Sequence, residues 1–381
     1  MVVLRCAASC LALLAVAGCN AAERARESGT TASTAASFDT SGMSLFEPLP
    51  ISSDRVYPGA LAPIFETSLQ SAGSGLPLKV SRIAVQGNRV YVLDTRQRAL
   101  FTFSRRGERL RRWPDSTAAG PGHPIAIASV AESLFVLELS RPHGIHVLSP
   151  QGDWLSERPL RTGTSTTDLA SSRTTLAVGL LAPDSQLAGG AGRFIGLIGS
   201  AGDVIARGCQ AHPAYAASLK RRGMLQLFRS IGVTADAGAI YCRQPVTPVV
   251  QVLDSTGRIV RVVRWTLPDY RAPSDAAESM NPRSIERFRS TWLEHMVFHP
   301  RPSGFLSVYA TFDPVQGRDR YIVLACDSTA ATLNCGRAES SYNPLAFLPP
   351  DTLVLSLPAD SAHPLPRLLF TVMQRSGRQA P

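Results

Sequence analysis

The chain has 381 residues, 44% of them apolar and 18% charged, a balance that supplies a core and argues against a disordered chain. Its 29 glycines and 28 prolines suit short strands joined by turns rather than a helical bundle. The net charge of +10 is arginine charge spread along the sequence, with Lys79 and Lys220 the only lysines, and no aromatic RNA-binding motif or zinc-finger spacing accompanies it, so nucleic acid is not an expected partner.

In chain order, the first segment reads as a processing signal. Arg5 precedes an apolar run from Cys6 to Val16, too short for a permanent membrane span, and the small residues Ala17 and Gly18 follow. The step Val16-Ala17-Gly18-Cys19 resembles the lipobox of bacterial lipoproteins. That resemblance implies a signal peptide over residues 1–18, cleavage before Cys19 and lipidation of its thiol. Two or more acyl chains, at about 0.8 kcal/mol per buried methylene, make a stable anchor. Asn20 in place of aspartate favours the outer membrane among the membranes of the cell envelope. The alternative is an ordinary signal peptide with an incidental cysteine. Residues 19–45 are mostly Ala, Ser, Thr and Gly and are expected to form a flexible tether, because they carry too little apolar surface to offset ordering. Residues 46–381 are then the folded domain.

Within that domain a strand-rich unit recurs. Its clearest copy covers residues 83–94, 99–107 and 109–113; a second covers 125–127, 134–138 and 144–152; a third has 176–179 and 194–202. A fourth has 240–242, 249–257 and 259–265, and two looser copies follow at 305–326 and 352–373. Units that cannot bury their own faces signal a radial or stacked repeat. The first copy resembles a blade of the NHL-repeat family at Tyr91, Val92, Asp94, Phe103, Ser104 and Gly107, and the turn is echoed at Gly152 and Gly257. The resemblance implies an all-β fold, a six-bladed β-propeller; a pair of β-sandwiches is the alternative. Two stretches break the pattern, 211–235 and 268–300. Helical insertions are predicted at 214–228 and at 282–296, where Ile285, Phe288, Trp292 and Met296 share one helical face.

Four cysteines lie beyond the anchor. Cys209 with Cys242 and Cys326 with Cys335 is the economical pairing in an oxidising compartment, with free thiols or a zinc site as alternatives, although no Cys-x-x-Cys occurs. No catalytic motif is present, and no catalytic residue, metal or cofactor is assigned. Pro300 disfavours helical geometry at His299, and in a strand His295 and His299 stand too far apart to share a metal. The glycines at 189–192 lack dinucleotide-fingerprint spacing. Some six-bladed propellers are calcium-dependent lactonases or esterases, which makes Asp94, Glu138, Asp168 and Asp313 candidate ligands. Two functions follow: a membrane-displayed, non-catalytic scaffold binding a protein, peptide or glycan, or a calcium-dependent hydrolase of a small ester or lactone.

Overall fold

Short strands with large apolar residues alternate with Gly, Asp and Asn turns, and every named element among the described residues is a strand. The structure is a computed structural model that describes residues 56–70, 78–114, 123–130, 132–139, 143–162, 165–172, 175–180, 193–210, 212, 232–236, 238–265, 270–271, 289–290, 292–329, 332–348 and 351–375. A long strand, β1 (Val56–Ser68), comes first. Four antiparallel four-stranded sheets follow in sequence order. The first is β2 (Arg82–Gln86), β3 (Arg89–Asp94), β4 (Ala99–Ser104) and β5 (Arg109–Trp113). The second is β6 (Pro124–Val130), β7 (Ser133–Glu138), β8 (Gly144–Leu148) and β9 (Trp154–Pro159). The third is β10 (Thr166–Ser171), β11 (Leu176–Leu180), β12 (Arg193–Ile198) and β13 (Val204–Gln210). The fourth is β14 (Gly232–Asp236), β15 (Ala239–Arg243), β16 (Val249–Leu253) and β17 (Ile259–Arg264).

The remaining strands are β18 (Glu294–Arg301), β19 (Gly304–Asp313), β20 (Arg318–Thr329), β21 (Thr332–Ser340), β22 (Asn343–Leu348), β23 (Thr352–Leu357) and β24 (Arg367–Arg375). With β1 they form one eight-stranded sheet in the order β18-β19-β20-β21-β1-β24-β23-β22. All its pairings are antiparallel except β1 with β21, where residues 56–58 run parallel to 335–337. The innermost strands touch in a closed circuit, β2 to β6, β10, β14, β18, β22 and back to β2. This is a β-propeller.

Two expectations are corrected. The strands form four separate four-stranded sheets and one eight-stranded sheet, not six separate sheets, because β1 bridges two outer strands. Nor does a helix reach Met296: residues 294–301 are strand β18, and Arg289 alone carries helical geometry among the described residues. Both Trp292 and Met296 are buried without a helix. Trp292 is 2% exposed, and Met296 packs with Val308 and Leu355. Ile285, Phe288 and the segment 214–228 lie outside the described residues, as do the glycines at 189–192. Residues 232–236, counted with an insertion, form β14.

The core is divided among the gaps between sheets. Leu93 and Trp113 of the first sheet meet Leu134 and Val136 of the second, and Tyr241 and Trp265 meet Phe298 and Phe305 farther round. Strands such as β8 and β16 are buried along their whole length, since neighbours cover both faces. Full burial of each aliphatic or aromatic side chain contributes roughly 1.5–3 kcal/mol.

One turn recurs between the third and fourth strands of the first four sheets. The Gly107, Gly152, Gly202 and Gly257 amides donate to the carbonyls of Ser104, Ser149, Gly199 and Asp254 at 2.9–3.1 Å. Each glycine has φ between +79° and +86°, and each turn is accompanied by a bulge in the ladder. At Gly107 and Gly202 the turn also docks on a strand outside its own sheet. A Cβ at Gly202 would lie 1.8 Å from the Pro159 carbonyl, and one at Gly107 would lie 1.9 Å from that of Ser68. Thus β1 supports the first sheet as β9 supports the third.

Candidate functional site

The circuit of innermost strands encloses a cavity of about 200 Å³ to which every one of these strands contributes. Ile127, Phe298, Leu345 and Phe347 provide apolar wall, and Arg82, Asp168, Arg243 and His299 provide polar groups. The volume is below the roughly 300–1,000 Å³ of sites for drug-sized ligands, so it suits a small molecule or one side chain of a partner.

Arg243 reaches the cavity from the second strand of its sheet. Its cross-strand partner on the innermost strand is Gly232, and a Cβ there would sit 2.1 Å from Nη2 and 2.7 Å from Cζ of Arg243. Only glycine leaves room for the guanidinium. Arg243 is 8% exposed, and its Nη1 donates to the His295 carbonyl. A guanidinium has five N–H donors in a fixed fork, and the bond to His295 helps to orient that fork. Arg82, by contrast, is exposed at the start of β2.

Asp168 joins neighbouring sheets. Its Oδ2 accepts the Val233 amide at 3.1 Å and its Oδ1 accepts the Leu169 amide at 3.0 Å. The other three acidic candidates are elsewhere. Asp94, fully buried, accepts the amides of Arg96 and Gln97 at 2.9 Å and that of Lys79 at 2.8 Å, tying the turn after β3 to the chain entering β2. Glu138 does the equivalent in the second sheet by accepting the His123 amide. Asp313 accepts the Val315 and Gln316 amides in an exposed hairpin. Among the described residues, no three His, Cys, Asp or Glu side chains come together as a metal site.

His295 and His299 are separated by the fold. A register shift between His295 and Val297 interrupts the alternation of β18. His295 is fully buried, with Nδ1 3.1 Å from the Thr247 carbonyl and Nε2 2.8 Å from Ser307 Oγ. The carbonyl fixes the proton on Nδ1, so Nε2 accepts from the serine hydroxyl. Burial and then the Arg243 charge hold its pKa well below the usual histidine value. The distance matches a nucleophile–base pair, but Ser307 is also fully buried. His299 lines the cavity, its ring 5.9 Å from Phe347.

Both expected cysteine pairs are present. Cys209 of β13 is bonded to Cys242 of β15, linking the third and fourth sheets, and Cys326 to Cys335 across the β20–β21 ladder. Beside the first, Gln251 exchanges two 2.8 Å hydrogen bonds with the backbone of Gln210, while Gln244 donates to the Gln210 carbonyl at 2.7 Å. Cys19 lies outside the described residues.

Sequence reasoning did not find Arg243. The available signal was an arginine closing the buried strand Ile240-Tyr241-Cys242-Arg243. It also missed the exposed Leu110, Leu155, Ile205 and Val260, each three residues after a turn glycine and each on the outer strand of a different sheet. Single apolar side chains spread over separate sheets are ordinary surface and do not make a site.

No protein-family model and no curated protein matches the chain. Among solved structures, one named as an exported protein of Bacteroides fragilis has a TM-score of 0.57 at 13% identity, covering 87% of this chain and 98% of its own. It has a similar fold. A DUF4221-family member from Bacteroides vulgatus (TM-score 0.49, 10% identity, 84% and 99% covered) and the WD40 repeats of RRP9 (0.49, 11%, 82% and 99%) also match.

Proposed function

We propose that the chain is a lipid-anchored propeller of the cell envelope, in the outer membrane, that binds a ligand without transforming it. The cavity at the centre of the strand circuit carries this reading, because every innermost strand contributes to it and its charged groups are mainly arginine. The eight-stranded sheet counts as two blades, β18–β21 and β22–β24 with β1, giving six NHL-like units. The strand pairing between the two halves is confined to residues 56–58 of β1, which supports that count. The lipobox-like step ending at Cys19, the two disulfides and the exported name of the Bacteroides fragilis protein all support export. Residues 1–18 are then the signal peptide and 19–45 the tether.

The hydrolase alternative needs calcium, and calcium takes six to eight oxygen ligands. Of the four acidic candidates only Asp168 lines the cavity, and its oxygens already accept two amides. The test uses the full chain made in a host that processes lipoproteins. Labelled palmitate should be incorporated, the protein should enter the detergent phase, and Cys19→Ser should abolish both. Labelling that persists in Cys19→Ser would overturn the anchor. Calcium-dependent turnover of a phenyl ester would overturn the binding reading.

A further inference from the structure

We propose that a second cavity, between β1 and the turns joining β2 to β3 and β4 to β5, is a phosphodiester-binding site with Arg105 and Arg106 as its anion partners. It encloses about 550 Å³, a volume suited to a small molecule, and shares no lining residue with the axial cavity. Its occupancy is therefore independent of the axial ligand proposed above. Among the described residues its wall is Phe65, Asn88, Ser104, Arg105, Arg106 and Glu108. The turn itself does not call for arginine. The same glycine turn recurs in the next three sheets, where the two tip positions carry Pro150-Gln151, Ser200-Ala201 and Ser255-Thr256. In the first sheet Ser104 Oγ accepts the Arg106 and Glu108 amides at 3.2 and 3.3 Å, and the Arg105 amide donates to the Asn88 carbonyl at 3.2 Å. Both arginines thus project from fixed backbone.

Arg105 Nε donates to the Gly87 carbonyl at 3.1 Å, which holds the guanidinium beside the β2–β3 turn. Among the described residues, the Arg105 Nη atoms, the Arg106 guanidinium and the Asn88 side-chain amide have no hydrogen-bond or ion-pair partner. These donors outnumber what a carboxylate can accept, and a phosphodiester offers twice its oxygens. Glu108, the one acidic residue in the described wall, takes the Ser104 hydroxyl on Oε2 at 3.3 Å. One positive charge is left in excess, which a phosphodiester monoanion balances and a dianionic monoester overshoots. Phe65 is half-buried with one ring face on Phe370, and its remaining surface is an apolar wall for the carbon skeleton beside the phosphate. Two sources have this chemistry: the headgroup of a phospholipid, or a soluble phosphodiester.

The experiment follows binding by calorimetry and melting on the full chain in neutral detergent. Micelles doped with phosphatidylglycerol are compared with micelles doped with diacylglycerol, and soluble glycerophosphoglycerol is compared with lactate. At least one phosphodiester should bind and raise the melting temperature, while diacylglycerol and lactate do neither. The tighter phosphodiester assigns the source. The Arg106 guanidinium holds no part of the described fold, so Arg106→Gln tests the site without disturbing structure. It should weaken phosphodiester binding about tenfold, the loss expected for one charge-assisted bond. Arg98→Gln removes the same charge from the turn between β3 and β4 and should leave binding unchanged. No binding of either phosphodiester, a control binding as tightly as its phosphodiester, or equal affinities in Arg106→Gln and Arg98→Gln would overturn the site.

Discussion

From β2 to β17 each sheet ends its third strand in the same glycine turn and has strands of five to seven residues, whereas β19, β20 and β21 run to ten, twelve and nine. The regular sheets dock by placing a turn glycine on the strand before them. In the longer-stranded region Cys326–Cys335 links β20 to β21, and residues 56–58 of β1 lie against β21. The comparison teaches that neighbouring units can be held by steric fit at a turn glycine or by strand pairing through β1. The two arrangements should fail differently.

The largest effects are expected where β1 bridges β21 and β24. Phe370 is 2% exposed and stacks on Phe65 of β1 with ring centroids 4.1 Å apart. Phe370→Ala should cost about 4 kcal/mol. Hydrogen exchange should then open β1 and β24 before the second and third sheets; uniform opening would erase the proposed distinction. Replacing Cys209 and Cys242 with alanine should cost about 4 kcal/mol, and replacing Cys326 and Cys335 about 3, since the second pair closes a shorter loop. Urea melts of the two double variants check both order and size.

Next come the turn glycines. Gly202→Ala meets both an unfavourable φ of +85° and the Pro159 carbonyl, and should cost about 3 kcal/mol. Gly87 has φ +55° with nothing within 4 Å of where a Cβ would stand, and Gly87→Ala should cost about 1 kcal/mol. Equal losses in denaturant melts would show that these turns do not dock through the glycine.

The smallest effect is in acid. His146 lies between Trp113 and Trp154, with ring centroids 5.2 and 4.8 Å away, and burial lowers its pKa despite the opposing charges of Glu157 and Glu138. Burial also lowers that of His212, and burial followed by the Arg243 charge lowers that of His295. In this situation the unfolded chain binds more protons than the folded one below the ordinary histidine value. Stability is therefore full above about pH 6.5 and falls as pH drops below it. His146→Phe should flatten part of that fall, leaving the His295 contribution in the longer-stranded region. An identical pH profile for wild type and His146→Phe would contradict this assignment.

The regular half was legible because its turns repeat within a short span: Ser104 to Gly107 and Ser149 to Gly152 are recognisable from local chemistry alone. β1 was not. It contains Pro58 and Pro63, which argue against a strand paired on both sides, and its β24 partners lie some three hundred residues away. The repeat read from sequence begins at residue 83 and does not include it. The paired cysteines were legible from compartment and spacing. Arg243 was not, because its role depends on the missing side chain of a cross-strand neighbour, and Gly232 fell in a stretch read as an insertion. His295 and His299 were correctly separated by strand geometry, but the register shift that sends them to different surroundings is a tertiary feature.

Phase partition of the full chain made in a host that processes lipoproteins bears most directly on the central claim. The wild-type chain should enter the detergent phase and Cys19→Ser should stay in the aqueous phase. Detergent partition of both would contradict it.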